Sequence, residues 1–77
     1  MKVIASNGLD IFDRPNGNKK GHYDYGDVIR TIELDSKKPA NDGQIYVRYT
    51  EAGSFFGMTK NWVVYEDKKG NITLEED

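Results

Sequence analysis

The sequence predicts an all-β fold of short strands, arranged as a small barrel or sandwich. No apolar pattern continues at helical spacing for the roughly ten residues that a stable helix needs. The apolar clusters are rich in β-branched and aromatic residues, which favour strands. Turn-forming pairs separate the clusters, among them Asn7-Gly8, Asn16-Gly17, Asp42-Gly43 and Gly70-Asn71. Turns at this spacing leave strands of about four to seven residues, which is typical of small β proteins.

Six strands follow from these patterns, near residues 2–6, 9–12, 27–34, 44–50, 61–65 and 71–74. The clearest is 44–50, in which Ile45, Val47 and Tyr49 alternate with polar residues and with Tyr46. This alternation predicts one buried face and one polar face, with Tyr46 on the polar side. In 27–34 the apolar residues do not keep one register, so we expect a bulge or a strand covered on both faces.

Two segments lack a strand pattern, and we expect both to be loops. Pro15 cannot donate a hydrogen bond to a ladder, so the strand before it should end at Phe12, and Asn16-Gly17 should then turn the chain. Residues 13–26 would leave the body of the fold and cover one face. Residues 35–43 are charged and contain Pro39, which predicts a solvated loop between two strands.

The length bounds the organisation of the chain. Its 77 residues suit one domain, which we assign to 1–77, with the core in 2–66 and a hairpin strand and acidic tail in 67–77. The sequence has no cysteine and one histidine, His22, so we expect neither a disulfide nor a structural zinc site. No apolar run reaches the length of a membrane span, and the apolar patch in residues 1–5 is too short for a signal peptide.

The charge distribution excludes two classes of partner. Residues 1–60 carry 9 basic and 8 acidic side chains, whereas residues 61–77 carry 2 basic and 5 acidic ones. A nearly neutral body with an acidic end lacks the basic stripe that nucleic-acid binding needs, and it does not favour an anionic membrane surface. We therefore expect no nucleic acid and no membrane among the partners.

The sequence contains no catalytic constellation. A Ser-His-Asp or Cys-His arrangement needs a positioned base, and only His22 could serve as one. Paired carboxylates could act as acid and base, but Asp10, Asp13, Asp24 and Asp27 are better explained as residues that cap turns. No phosphate-binding or dinucleotide motif is present. We expect no enzyme, no cofactor and no metal.

The aromatic residues carry the strongest functional signal. Tyr49, Trp62 and at least one of Phe55 and Phe56 are expected to fill the core. A second group falls on polar strand faces or in the 13–26 loop and forms the predicted ligand-binding site: Phe12, Tyr23, Asp24, Tyr25 and Tyr46. Aromatic faces beside an acidic group can hold an extended peptide or a sugar ring. His22, next to Tyr23, could make such binding depend on pH, although a loop histidine hydrogen-bonded to backbone or water is the simpler interpretation.

Four short motifs, in order, resemble the bacterial SH3-like (SH3b) family. Residues 9–15, "LDIFDRP", resemble its opening element, and Gly26-Asp27-Val28-Ile29 resembles its "G-D-x-V" strand. Residues 45–49 resemble its third element, and Gly53 with Asn61-Trp62-Val63 resembles its closing one. The resemblance covers about residues 3 to 65. The chain departs from the family pattern at Phe12, where arginine is usual, and at Arg14, where glycine is common.

This resemblance implies a five- to six-stranded SH3-like barrel that binds bacterial cell wall without catalysis. The implied ligand is a peptidoglycan peptide, and the implied role is to target a wall hydrolase, an autolysin or a phage lysin. The resemblance also implies a monomer that acts outside the cell or at the wall, as part of a larger chain.

Two other function classes stay open from the sequence. The same barrel could be a cytoplasmic or viral interaction domain that binds a protein partner or self-associates, as the acidic end and the lack of a signal peptide suggest. A small barrel that stacks single-stranded nucleic acid on its aromatic residues is the third reading, which the near-neutral charge disfavours.

Overall fold

A computed structural model describes residues 1–50 and 60–77 of the chain. This part contains seven strands: β1 (Lys2–Val3), β2 (Leu9–Phe12), β3 (Lys19–Tyr23), β4 (Ile32–Pro39), β5 (Ile45–Thr50), β6 (Lys60–Glu66) and β7 (Leu74–Glu75). Phe55 and Phe56 fall outside these ranges, so the prediction that at least one of them fills the core lies outside the described residues.

The strands form two antiparallel sheets. The larger sheet has the order β3-β2-β6-β5-β4, and β1 pairs with β7 in the smaller one. The all-β class predicted from turn spacing is therefore confirmed. Among residues 1–50 and 60–77 the sheets do not close into a barrel, and β3 and β4 are the two edges of the larger sheet.

The smaller sheet is extended by the segment that follows β3. Residue Val3 donates its N–H to the carbonyl of Asp27 at 2.8 Å, and Lys2 lies opposite Val28 in an isolated bridge. On the other side, the N–H of Ile4 donates to the carbonyl of Thr73 at 2.8 Å. The first strand is thus held between residues 26–29 and the C-terminal strand, so both ends of the chain contribute to one packed layer.

The core lies between the two sheets. Its buried apolar residues come from five strands and from the segment before β4: Val3, Leu9, Ile29, Tyr46, Val47, Tyr49, Val63, Val64 and Leu74. The prediction that Tyr49 fills the core is confirmed, and Trp62 packs against this cluster while staying half-buried. Leu74 shows that the C-terminal strand is part of the core, beyond the expected limit at residue 66.

A β-bulge in β6 is stabilised by Thr73, the residue just before β7. Val64 lies opposite Tyr46 and Glu66 lies opposite Ile45, which leaves Tyr65 as an extra residue in β6. The buried hydroxyl of Thr73 donates to the carbonyls of Val64 at 2.6 Å and Tyr65 at 3.0 Å. Because a buried carbonyl without a partner is costly, this threonine supports the bulge.

The prediction of a loop over residues 13–26 is wrong for its second half. The turn occupies only about residues 13–18, where Asp13 accepts the N–H of Asn18 at 2.9 Å and Asn16 has a φ of 54°. Residues Lys19–Tyr23 then pair with β2 as β3. This strand has an exposed, polar outer face and a central glycine, so it carries no apolar alternation that sequence reasoning could detect.

The boundaries of the fourth strand also differ from the prediction. The expected strand 27–34 is interrupted at Thr31, whose φ of 64° is rare for a β-branched residue, and β4 begins only at Ile32. The expected loop 35–43 is mostly strand, because β4 continues to Pro39. Its irregular part is held by Ser36, whose hydroxyl donates to the Glu33 carbonyl at 2.6 Å and accepts the Arg48 N–H at 2.8 Å.

Candidate ligand-binding cleft

The larger sheet is split between β2 and β6. These strands share a single register pair, Phe12 with Trp62. Beside this pair lies a hollow of about 320 Å³ that residues of both strands line. We call this hollow the β2–β6 cleft; it is lined by Ala5, Asn7, Gly8, Leu9, Asp10, Phe12, His22, Gln44, Val64, Asp67 and Thr73. Its volume lies at the lower end of the range for ligand pockets.

The apolar part of the cleft rests on the core. Leu9 and Val64 are buried, and Phe12 is half-buried. The ring of Phe12 meets the buried ring of Tyr46 edge to face, with 5.6 Å between centroids and 77° between planes. This packing fixes the Phe12 side chain, so the cleft has a preformed apolar wall.

One side of the cleft carries a paired carboxylate and imidazole. Asp10 and His22 are register partners in the β2–β3 ladder, and a hydrogen bond of 2.8 Å joins His22 Nδ1 to Asp10 Oδ1. The ionised carboxylate only accepts, so Nδ1 is the donor. Lys19 Nζ lies 3.2 Å from the same oxygen. The hydrogen bond from His22 holds the pKa of Asp10 below its ordinary value; burial opposes this lowering, and the contact with Lys19 adds to it.

The histidine ring is enclosed by backbone and by a second carboxylate. His22 Nε2 lies 3.8 Å from Asp24 Oδ1. Gly8 has a φ of +75°, and a Cβ at this position would lie 2.6 Å from His22 Nε2 and 2.1 Å from the carbonyl oxygen of Tyr23. Only glycine therefore allows the turn before β2 to pack this closely on β3.

The far side of the cleft is also acidic. The Asp67 carboxylate accepts the N–H groups of Lys69 at 3.0 Å and Asn71 at 2.9 Å, which closes the β6–β7 turn. These bonds, led by the one from Asn71, lower the pKa of Asp67. Among the residues that the structure describes, the cleft lining contains no lysine and no arginine, and it contains two carboxylates, Asp10 and Asp67, beside the apolar side chains.

The predicted site residues do not form one surface. Phe12 lines the cleft, and Asp24 approaches it through His22. Tyr25 is 61 % exposed, and no described residue stacks on its ring. Tyr23 lines a different hollow of about 330 Å³, where its ring lies 6.0 Å from that of Tyr49. That second hollow also borders Thr50, the last residue before the part of the chain that is not described.

The expected exposure of Tyr46 is wrong. Its side chain is only 1 % exposed, and its hydroxyl donates to Asp42 Oδ2 at 2.6 Å. Burial, followed by the hydrogen bond to Asp42, raises the pKa of Tyr46 to about 12. Tyr46 and its neighbour Val47 point to opposite faces of β5, and both are buried, so the strand is covered on both faces there, with Phe12 packed against the Tyr46 ring. Tyr46 therefore supports the cleft from below and does not face a ligand.

Asp10 and His22 are both singled out from the sequence, but their pairing is not predicted from it. Asp10 is assigned to turn capping, and His22 is left in a loop. The two residues pair only because β3 forms beside β2. The one sequence signal for this pairing is that polar residues lie on both sides of the Asn16-Gly17 turn. Within residues 1–50 and 60–77, no group of three or more metal-ligating side chains is found.

Comparison with known proteins gives no assignment: no family model, no curated protein and no solved structure matches the chain. No helix among the described residues is long and apolar enough to cross a membrane.

Proposed function

We propose that this chain is a non-catalytic binding module that recognises an extended peptide of the bacterial cell wall. In this proposal the two sheets are an SH3-like arrangement, and the module targets a wall hydrolase, an autolysin or a phage lysin to peptidoglycan outside the cell. The family-like order of motifs from Leu9 to Val63 supports the choice of ligand class.

The split between β2 and β6 carries the proposal. A strand that is paired on one side and open on the other offers backbone donors and acceptors to an extended peptide. Strand β2 is paired with β3 over its whole length but with β6 only at Phe12. The opening adjoins an apolar wall and polar side chains, which is the combination that ligand pockets use for affinity and orientation.

Retention of the protein on purified Gram-positive sacculi tests the proposal. We expect the wild-type chain to be retained and Asn7→Trp to be released, because Asn7 is exposed and lines the cleft, so that an indole ring there would fill the opening. The matched control is Ser6→Trp, on an exposed neighbour outside the cleft lining, which should be retained like the wild type. Equal retention of both variants, or no retention of the wild type, would contradict the proposal.

The alternative from the sequence makes the opposite prediction. A domain that binds a protein partner or itself would be indifferent to wall material. It would instead sediment as a concentration-dependent dimer or capture a protein. Sedimentation of the wild-type chain over a range of concentrations separates this alternative from the monomer that we propose.

A further inference from the structure

We propose that the β2–β6 cleft binds a free primary amine on an aliphatic stem, such as a lysine-type side chain of the bound peptide. This inference rests on the proposed peptide-binding function and names the chemical group that the cleft selects. Three features of the cleft support it: the apolar floor, the carboxylates of the lining, and one carboxylate oxygen that has no partner among residues 1–50 and 60–77.

The floor of the cleft suits a methylene chain. Leu9, Phe12 and Val64 form a continuous apolar surface, since all three line the cleft and pack in or against one core cluster. A bare ammonium ion would gain little from such a surface, because burial of apolar area is what stabilises the contact. A side chain with several methylene groups gains from it along its length.

The carboxylates of the cleft suit a cation. Asp10 and Asp67 both line it, and Asp24 approaches through His22, whereas Lys19 offsets only the charge next to Asp10 Oδ1. A carboxylate or phosphate ligand would meet like charge here, whereas an ammonium group would meet charge of opposite sign. Charge complementarity therefore selects a cationic ligand over an anionic one.

Asp10 has an acceptor to spare. Its contacts with His22 Nδ1 and Lys19 Nζ both go to Oδ1. Within the part of the chain that is described, Oδ2 has no hydrogen-bond or ion-pair partner. The His22 and Lys19 contacts hold the carboxylate in place, so Oδ2 is preorganised to accept a charge-assisted hydrogen bond from a ligand amine.

Three blocked tripeptides test the amine directly: acetyl-Ala-Lys-Ala-amide, its Nε-acetyllysine form and its norleucine form. Titration followed by amide resonances should show binding of the lysine peptide, with the largest shifts at residues 8–12 and 22. The affinity should exceed that of the other two peptides by about tenfold, which is the scale of one hydrogen bond to a charged group. Equal affinities for all three peptides, or no binding of the lysine peptide at millimolar concentration, would overturn the inference.

Two variants tie the effect to the carboxylate. Asp10→Asn keeps the size of the side chain and removes its charge, so its affinity for the lysine peptide should fall to that for norleucine. Asp35→Asn makes the same change on β4, at the opposite edge of the sheet, and should bind like the wild type. A thermal melt of each variant checks that it is folded. If both variants keep full affinity, Asp10 does not bind the amine.

Sacculi with acetylated amines separate this inference from the function on which it rests. The wild-type chain should be retained on native sacculi and lost from sacculi treated with acetic anhydride. Equal retention on native and acetylated sacculi would overturn the inference that the cleft binds an amine, and it would leave the wall-binding proposal intact. No retention on either would overturn the wall-binding proposal itself, while the tripeptide titration would still decide the chemistry of the cleft.

Discussion

Strand β6 has two very different neighbours. With β5 it shares six register pairs, from Thr50↔Lys60 to Ile45↔Glu66. With β2 it shares one. The same seven residues therefore form a full ladder along one edge and border an opening along the other. The contrast separates the part of the sheet that holds the fold together from the part that is available to a ligand.

The side chains follow the same division. Val47 and Val63, opposite each other in the β5–β6 ladder, are fully buried. On the β2 side, Asp10 and His22 face solvent with side chains that are 41 % and 39 % exposed. Burial of apolar side chains stabilises the fold but does not select a partner. Exposed charged side chains contribute little stability but can recognise a ligand. The predictions below test this division from the largest expected effect to the smallest.

The largest loss of stability is expected from Gly8→Ala, on the cleft side. The new Cβ would lie 2.1 Å from the Tyr23 carbonyl oxygen, so the turn before β2 would have to move away from β3. We expect a loss of about 3 kcal/mol or more in the free energy of unfolding, because backbone strain and a clash combine. Urea denaturation measures it.

Gly26→Ala is the matched control. Gly26 has a φ of +89°, but nothing lies within 4 Å of its virtual Cβ. Its substitution should cost about 1–2 kcal/mol, which is the cost of the left-handed conformation alone. If the free energy of unfolding falls equally in the two variants, then the close packing of Gly8 against β3 is not what holds the cleft in place.

On the ladder side, Val63→Ala should lower stability and leave binding unchanged. The side chain is fully buried, and removal of two methyl groups with partial collapse of the site costs about 2 kcal/mol. Val28→Ala, at a position that is 42 % exposed, should cost less than about 0.5 kcal/mol. Thermal unfolding and the lysine-peptide titration measure the two properties. A loss of peptide affinity in folded Val63→Ala would mean that the ladder and the cleft are not independent.

The same division explains which parts of the structure were predictable from sequence. Strands β2, β5 and β6 were placed within a residue of their ends, because burial imposes an apolar pattern on them. Strand β3 was missed, because only its pairing with β2 makes it a strand. The cleft residues were missed as a site for a related reason: Asp10 and His22 meet only through the β2–β3 register.

Tyr46 shows a second limit of structure prediction from the sequence. The alternation of 44–50 predicts that Tyr46 lies on an exposed, polar face. Tyr46 and its neighbour Val47 point to opposite faces of β5, and both are buried, so this strand is covered on both faces there. The alternation therefore predicts the strand, but it does not report that another part of the chain covers its second face.

Tyr46→Phe probes the support beneath the cleft. The variant removes the hydroxyl that donates to Asp42 at 2.6 Å, which should cost about 1 kcal/mol at pH 7. Tyr25→Phe, on an exposed ring, is the matched control and should be neutral. The folded-state pKa of Tyr46 is raised from 10.0 to about 12. The folded state therefore keeps this proton longer than the unfolded state, and the stabilisation is complete below pH 10 and lost between pH 10 and 12.

Denaturation of the wild type and Tyr46→Phe across this alkaline range measures the linkage. The stability difference between them should shrink as pH rises, whereas Tyr25→Phe should track the wild type. A difference that stays constant up to pH 12 would mean that the hydroxyl of Tyr46 is not held by burial and Asp42 in the folded state.

The smallest effect on stability is expected from Asp10→Asn, although its effect on amine binding is the largest of the set. The hydrogen bond from His22 lowers the pKa of Asp10 in the folded state. The carboxylate therefore contributes stability above its ordinary value of 3.8, and this contribution is lost as pH falls through the lowered folded-state value. Because both side chains are about two-fifths exposed, solvent screens the pair, and the loss at pH 7 should stay below about 1 kcal/mol. Added salt should reduce it further, and the wild type and variant should converge in acid. A loss of several kcal/mol would show that Asp10 holds the fold together, and the division between a stabilising ladder and a binding cleft would then fail.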